Sequence, residues 1–308
     1  MPAGVRLGLV GAGAWGRNYI RTIAGLTNAR LVCVASRNAQ TAKIVPPGCS
    51  IVPDWRALLD RRLVDGAIIA TPTPTHVTIA LAAIDRGLPV LIEKPLTRDV
   101  TEARRLEARA TQEQVLVMVE HTQLFHPAYR KLKSLLPQLG PLKGLRAMAG
   151  RTGPFRADTP VLWDWGSHDV AMCLDLIGAK PSHIAAKVAE RATVEGNQGE
   201  SIEIELGFPS GIGARLLVSN ILREKTRRFS VVGERGTLIY DDGAADKLRL
   251  ERDGRHEAIA VGQDLPLATA VKEFAEAIAT PSADGSSISL AIEVVEVLSA
   301  CASALASS

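Results

Sequence analysis

The sequence predicts an α/β protein in two parts: a doubly wound parallel sheet, then an α+β part with a large, open, mostly antiparallel sheet. Two patterns carry this. Up to about residue 120, near-continuous apolar runs alternate with amphipathic stretches, as strands covered by helices on both faces require. After Gln123 the apolar runs follow one another with mainly turn residues between them. A length of 308 residues suits two domains, divided at 1–122 and 123–308, and the C-terminal helices are free to return to the first.

In the first part the strand candidates are Val5–Val10, Arg30–Ala35, Gly66–Ala70, Pro89–Ile92 and Val115–Val119. Helical periodicity covers Arg17–Leu26, Thr75–Arg86 and Val100–Ala110. The second part opens with a helix at Pro127–Leu136, a strand at Leu142–Ala149 and a helix from about Asp164 to Ile177. Strands are then expected at Ile184–Ala189, Ser201–Phe208, Ile212–Ser219, Arg228–Val232 and Thr237–Tyr240, with shorter ones at Lys247–Leu250 and His256–Val261. Turns at Pro209-Ser210-Gly211, Gly233–Gly236 and Asp242-Gly243 separate some of them. Two helices, Leu267–Ala279 and Ile288–Ala304, close the chain.

Composition excludes several classes. With 46% hydrophobic and 22% charged residues, the chain reads as globular, not disordered. A net charge of +3 gives little steering of nucleic acid. The densest basic cluster, Arg223, Lys225, Arg227 and Arg228, reads as a solvated strand edge or else a phosphate patch. Cys33, Cys49, Cys173 and Cys301 show no metal-ligand spacing, so no metal is expected and the thiols read as reduced. With no leader-like N-terminus and no flanked apolar span, the expectation is a cytoplasmic protein that makes no use of a membrane.

Gly11-Ala12-Gly13-Ala14-Trp15-Gly16 stands between the first strand and the first helix, the context in which G-x-G-x-x-G binds a dinucleotide on a Rossmann domain. Gly11 serves the tight turn, Gly13 the approach of the pyrophosphate, and Gly16 the packing of helix on strand. The pyrophosphate then meets the N–H groups of the helix start. The second strand ends in Ser36-Arg37 with no acidic residue to hold a ribose 2′-hydroxyl. Arg37 can instead pair with a 2′-phosphate, which favours NADP; as an adenine-stacking or surface side chain it leaves NAD open.

The segment Ala70-Thr71-Pro72-Thr73-Pro74-Thr75-His76, then Glu93-Lys94-Pro95, then Asp164-Trp165-Gly166-Ser167-His168, resembles the Gfo/Idh/MocA oxidoreductase family over nearly the whole chain. The resemblance implies that Lys94 is catalytic, that Pro95 follows a cis bond, and that His168 and often Asp164 stand beside the substrate. The residue types suit that chemistry. An ammonium at a strand's carboxyl end can stabilise a developing alkoxide. An imidazole can move the hydroxyl proton, and a helical Asp164 would share a face with His168 or cap the helix.

Thr71, Pro72, Thr73, Glu93 and His121 are further candidates for the cofactor's surroundings, with His76 a helix-start residue near it. The strings Ala14-Trp15-Gly16-Arg17-Asn18, Phe125-His126-Pro127-Ala128-Tyr129, and Val161-Leu162-Trp163-Asp164 with His168-Asp169 resemble the family's nucleotide-sugar branch. That implies a sugar or nucleotide-sugar substrate met by Trp163. Arg151 and Arg156 either meet a diphosphate or carboxylate or stand exposed. The expected activity is hydride transfer between NAD(P) and a secondary alcohol or ketone of such a sugar. The rival readings are a dehydrogenase of a free polyol or cyclic diol, and a dinucleotide-binding sensor without turnover. The sheet of the second part has a face with little to cover it, which predicts a homodimer or homotetramer.

Overall fold

The computed structural model describes residues 4–155, 159–280 and 286–307. Six parallel strands make the first sheet: β1 (Val5–Val10), β2 (Ala29–Ala35), β3 (Ser50–Val52), β4 (Gly66–Ile69), β5 (Val90–Glu93) and β6 (Val117–Glu120). Their order is β3-β2-β1-β4-β5-β6, so the chain reverses direction across the sheet between β1 and β4. In open α/β sheets ligands bind at that switch point, outside the carboxyl ends of the strands. Every residue of β4, β5 and β6 is buried, which is why the sequence shows runs there and no alternation. The helices are α1 (Ala14–Ala24), α2 (Trp55–Leu58), α3 (His76–Ile84) and α4 (Val100–Glu113). Asp99 starts α4 by accepting from the N–H groups of Thr101 and Glu102.

The C-terminal sheet comprises β7 (Leu142–Gly150), β8 (His183–Val194), β9 (Asn197–Gly207), β10 (Gly213–Ser219), β11 (Thr226–Gly233), β12 (Gly236–Asp241), β13 (Leu248–Arg252) and β14 (Arg255–Ala258). Its order is β14-β13-β12-β11-β7-β10-β9-β8, with β7 and β10 parallel and the other described pairs antiparallel. Alternation is visible along β11, where Arg227, Phe229 and Val231 are buried while Arg228 is exposed. Helices α5 (Pro127–Leu135), α6 (Val161–Asp164) and α7 (Gly166–Ile177) complete this part, with α6 and α7 separated only by Trp165.

Contacts divide the chain into one unit of Met1–Thr122 with Leu265–Val295 and another of Gln123–Asp264 with Glu296–Ser308. Helix α8 (Pro266–Ala279) belongs to the first unit, where Phe274 and Ile278 fill the space a side chain at Gly66 would need. Helix α9 (Ser286–Ala306) is shared between the two. Its Ile288–Ala306 stretch has a mean hydropathy of 1.8 and is long enough to cross a membrane. Ala291, Ile292, Val295, Leu298 and Cys301 are nonetheless buried within the protein, so this apolar face is spent on its core.

Three elements differ from expectation. Strand β3 has only three residues, too short for a period to register. Strands β8 and β9 extend into a long hairpin whose Glu195-Gly196 turn carries both residues at positive φ. The helix expected from Asp164 is broken at Trp165, so Asp164 ends α6 instead of capping α7.

Candidate active site

In the first unit β1 ends at Val10 and the chain turns through Gly11 at φ +98°. A side chain on Gly11 would meet the Ala70 carbonyl oxygen at 2.7 Å, and one on Gly16 would collide with the Gly11 carbonyl. Both positions therefore require glycine. Gly13 has open space where its Cβ would stand, and it starts α1 with no side-chain cap and no acidic residue in the first turn. Unclaimed N–H groups thus face an open groove of about 330 Å³, lined by Gly11, Gly13, Ser36, Arg37, Trp55 and Thr71 among others.

At the end of β2 the Ser36 and Thr41 hydroxyls lie 2.8 Å apart, and Ser36 Oγ accepts from the Asn38 N–H at 3.2 Å. Arg37 is exposed. Across the groove, the Arg56 guanidinium covers one face of Trp55 at 4.3 Å. Beyond β4, the Thr75 hydroxyl reaches Thr71 Oγ1 and the Pro72 carbonyl, each at 2.7 Å, which draws the T-P-T-P-T loop closed. Buried His76 places Nε2 2.8 Å from the Thr71 carbonyl and Nδ1 3.0 Å from the Pro95 carbonyl. Burial pulls the His76 pKa down, so the neutral ring carries one N–H and donates to one of these two carbonyls, standing between the loop after β4 and the loop after β5. His76, at the start of α3, is therefore a brace between the two loops.

The carboxyl ends of β5 and β6 bring ionisable groups together. Glu93 and Glu120 are register partners, and both are buried. Tyr19 of α1 donates to Glu93 Oε1 at 2.9 Å, and Thr122 donates to Glu120 Oε2 at 2.5 Å. Burial pushes Glu93 up to about 7, against the opposing pull of Tyr19 and Lys94. Burial, then the charge of Glu93, pushes Glu120 well above the usual carboxylate range. Lys94 follows Glu93 directly, and the Lys94–Pro95 peptide is cis. His121 is buried, with neither ring nitrogen partnered among the described residues. Burial, then the charge of Lys94, pulls His121 down to about 3, so its ring is neutral.

In the second unit His168 lies buried in the first turn of α7. The next residue, Asp169, is 1% exposed and accepts from Arg227 Nη1 of β11 at 3.0 Å. The Arg227 guanidinium also stacks on Trp165 at 5.2 Å. This corrects the reading of Arg227 as part of a surface cluster: Arg223, Lys225 and Arg228 are exposed, while Arg227 points inward. Burial raises Asp169 to about 6 in spite of Arg227. Trp163, expected to meet substrate, is 3% exposed and belongs to the core with Val161 and Leu162. Asp164 is half-buried and Arg151 is exposed. Arg156 lies outside the described residues.

Residues 5–121 match the Gfo/Idh/MocA oxidoreductase family, NAD-binding Rossmann fold, and residues 140–239 match the Gfo/Idh/MocA C-terminal domain. UDP-N-acetylglucosamine 3-dehydrogenase of Acidithiobacillus ferrooxidans is 30% identical over 290 residues, 89% of each chain. The chain belongs to the Gfo/Idh/MocA oxidoreductase family. A solved structure of that Acidithiobacillus enzyme superposes with a TM-score of 0.87, at 26% identity over 99% of this chain and 98% of the other. A protein of Magnetospirillum magnetotacticum MS-1, described only provisionally as an oxidoreductase, reaches a TM-score of 0.91 at 46% identity, over 97% of this chain and 99% of that one. The dTDP-3,4-didehydro-2,6-dideoxy-alpha-D-glucose 3-reductase of Streptomyces violaceoruber is 30% identical over 85% of this chain and 81% of its own.

As a Gfo/Idh/MocA oxidoreductase, this chain has residues that fit a nicotinamide dinucleotide. The Gly11–Gly16 cradle presents amides where side chains would clash, and His121 carries two buried nitrogens without partners among the described residues. Among those residues, no group of three or more His, Cys, Asp or Glu could hold a metal. Four residues of these clusters were not legible as site residues: Tyr19, Glu120, Asp169 and Arg227. Glu120 had a usable signal, an acid closing a buried strand just before His121, as Glu93 does before Lys94. Tyr19 and Arg227 required the tertiary structure.

Proposed function

We propose that this chain moves a hydride between NAD(P) and a secondary alcohol or ketone of a sugar or nucleotide sugar. The observation that carries the reading is Lys94, at the carboxyl end of β5 in the sheet that also bears the Gly11–Gly16 cradle. Its support is the match to the Acidithiobacillus and Streptomyces enzymes, whose names specify nucleotide-sugar substrates. Bound NAD(P) supplies the hydride acceptor or donor. The N–H groups at the start of α1, with Ala12, Ala14 and Trp15 completing the loop, hold the pyrophosphate. Thr71, Pro72, Thr73, Glu93 and His121 line the rest of the cofactor.

In the oxidation direction the carbinol C–H leaves as hydride and the O–H proton passes to His168, leaving a carbonyl. Lys94 stabilises the negative charge that the oxygen acquires on the way. Asp164 assists His168, and Arg151 and Arg156 recognise the diphosphate. Arg37, with Ser36, meets a 2′-phosphate, so NADP is the preferred cofactor. The Ser36 hydroxyl already pairs with Thr41, so Arg37 carries most of that preference.

The outer face of the C-terminal sheet carries a trough of about 760 Å³ lined by Met148, Leu217, Arg146, Arg215 and Arg228 among others. This face joins copies of the chain into a homodimer or homotetramer. Four unbridged cysteines agree with a place in the reducing cytoplasm. The test of function is a fluorescence titration with NADH and NADPH on wild type and Arg37→Ala, followed by turnover assays with UDP- and dTDP-sugars. Tighter NADPH binding that the substitution abolishes supports the reading. Failure of both cofactors to bind below millimolar refutes it. Turnover of free inositol with no need for a nucleotide would move the substrate to the cyclic polyols.

A further inference from the structure

Two carboxyls side by side inside an apolar sheet need a reason, because an ionised oxygen without partners is costly there. Glu93 and Glu120 close adjacent parallel strands at partnered positions, so their side chains leave the sheet on the same face. Parallel strands run about 4.8 Å apart, which brings such carboxyls within direct interaction range. Their surroundings are unequal. Glu93 has a phenol donor and is followed by Lys94. Glu120 is completely buried, accepts from Thr122 through Oε2, and has no partner for Oε1 among the described residues. Two anions here would repel each other, and a charged Glu120 would be poorly compensated. One proton removes both costs.

We infer that Glu93 and Glu120 hold one proton between them, resident on Glu120, so that Lys94 is balanced by a single negative charge. Glu120 and Tyr19 are thereby positioning residues that act on the reaction through Lys94, and this role rests on the dehydrogenase reading above. An ammonium with one carboxylate is neutral as a group. A second carboxylate would make the group negative at the place where a substrate oxygen must itself become negative. The shared proton keeps that field from opposing the reaction.

The groups that face the pair are few. Tyr19 comes from α1, Lys94 follows β5, and His121 follows Glu120 and stays neutral. Helix α8, packed on β6, buries Ala270, Val271, Phe274 and Ala275, none of which titrates. The upward displacement of both carboxyls agrees with a retained proton.

Infrared spectroscopy of the intact protein at mildly alkaline pH tests the pair directly. Wild type should show the C=O stretch of a protonated carboxyl, shifted in D2O. Asp169, raised only to about 6, is ionised there and adds no band. Glu120→Gln should lose the band, because Glu93 alone beside Tyr19 and Lys94 ionises. In kcat/KM, wild type should fall about tenfold per pH unit once the pair loses its last proton, and Glu120→Gln should lack that limb. Tyr19→Phe removes a bond that favours the Glu93 anion, so the pH at which the pair takes up its second proton should rise. A tyrosine with only a structural role would leave that pH unchanged. A band absent from wild type, or undiminished in Glu120→Gln, would overturn the inference. The band is read without substrate, so a normal band in a protein that oxidises no sugar supports the pair and removes the functional reading alone.

Discussion

Removing either partner of the Arg227–Asp169 pair should destabilise the second unit by unequal amounts, and the inequality can be worked out from burial. The two side chains are 5% and 1% exposed, so neither charge has water to fall back on. Breaking a buried pair of this kind costs about 3–5 kcal/mol when the charge left behind stays charged. Asp169→Asn leaves such a charge, since a guanidinium does not release its proton. Arg227→Met leaves Asp169, whose pKa burial already raises from 3.8 to about 6. Without Arg227 it rises further, and at neutral pH the acid takes a proton.

The remaining cost of Arg227→Met is the lost stacking on Trp165 and the cost of that protonation, together about 1–3 kcal/mol. The sign of the pH dependence follows. Because the folded state binds the Asp169 proton more tightly than the unfolded chain, wild type loses stability from this group as pH rises from about 4 to 6. The loss is about 3 kcal/mol at 1.36 kcal/mol per unit. Urea unfolding at neutral pH and at pH 5 measures all three proteins. Asp169→Asn should be the least stable, and Arg227→Met should lose stability over a pH range reaching higher than in wild type. Equal losses for the two substitutions would show that Asp169 keeps its charge when alone, and the reasoning from burial would fail.

Three other outcomes are expected. Gly16→Ala drives a methyl group into the Gly11 carbonyl and should weaken NAD(P)H binding at least about tenfold in a fluorescence titration, while the C-terminal sheet stays folded. His76→Leu breaks the brace between the loops after β4 and β5, removes the donor to one of their carbonyls, and should cost about 1–3 kcal/mol in thermal unfolding. Met148→Glu places a charge on the outer face of the C-terminal sheet, where Met148 is 41% exposed, and should shift the mass seen by light scattering toward monomer.

The parallel sheet was legible because β4, β5 and β6 are buried on both faces and leave apolar runs in the sequence. The Gly11–Gly16 cradle was legible because its glycines answer to local geometry, a positive φ and a close carbonyl. What failed was everything decided by register. Arg227 and Arg228 are neighbours in sequence, yet alternation sends one inward to Asp169 and the other to the surface, so a cluster count could not separate them. Glu120 looks like a solvated strand end until β6 is aligned with β5 and Glu93 becomes its neighbour. Trp163 is 3% exposed, a burial that its motif alone does not disclose.

Each unit thus sets a buried acid near a cation, and the choice of cation separates architecture from chemistry. Arg227 cannot give up its proton, so its pair with Asp169 is a fixed strut between β11 and α7. A lysine presents a compact charge that can yield a proton when a reaction requires it. Lys94→Arg is the substitution that asks whether this difference matters. The positive charge survives, so binding of NAD(P)H should change little. The planar guanidinium is larger and keeps its proton, so it should neither fit behind the reacting oxygen nor follow its change of charge. The expected result is a fall in kcat of about 10²–10³ with far smaller effects on cofactor affinity. Full activity in Lys94→Arg would mean that any positive charge suffices at this position, and the proton held by Glu93 and Glu120 would then have no bearing on turnover through Lys94.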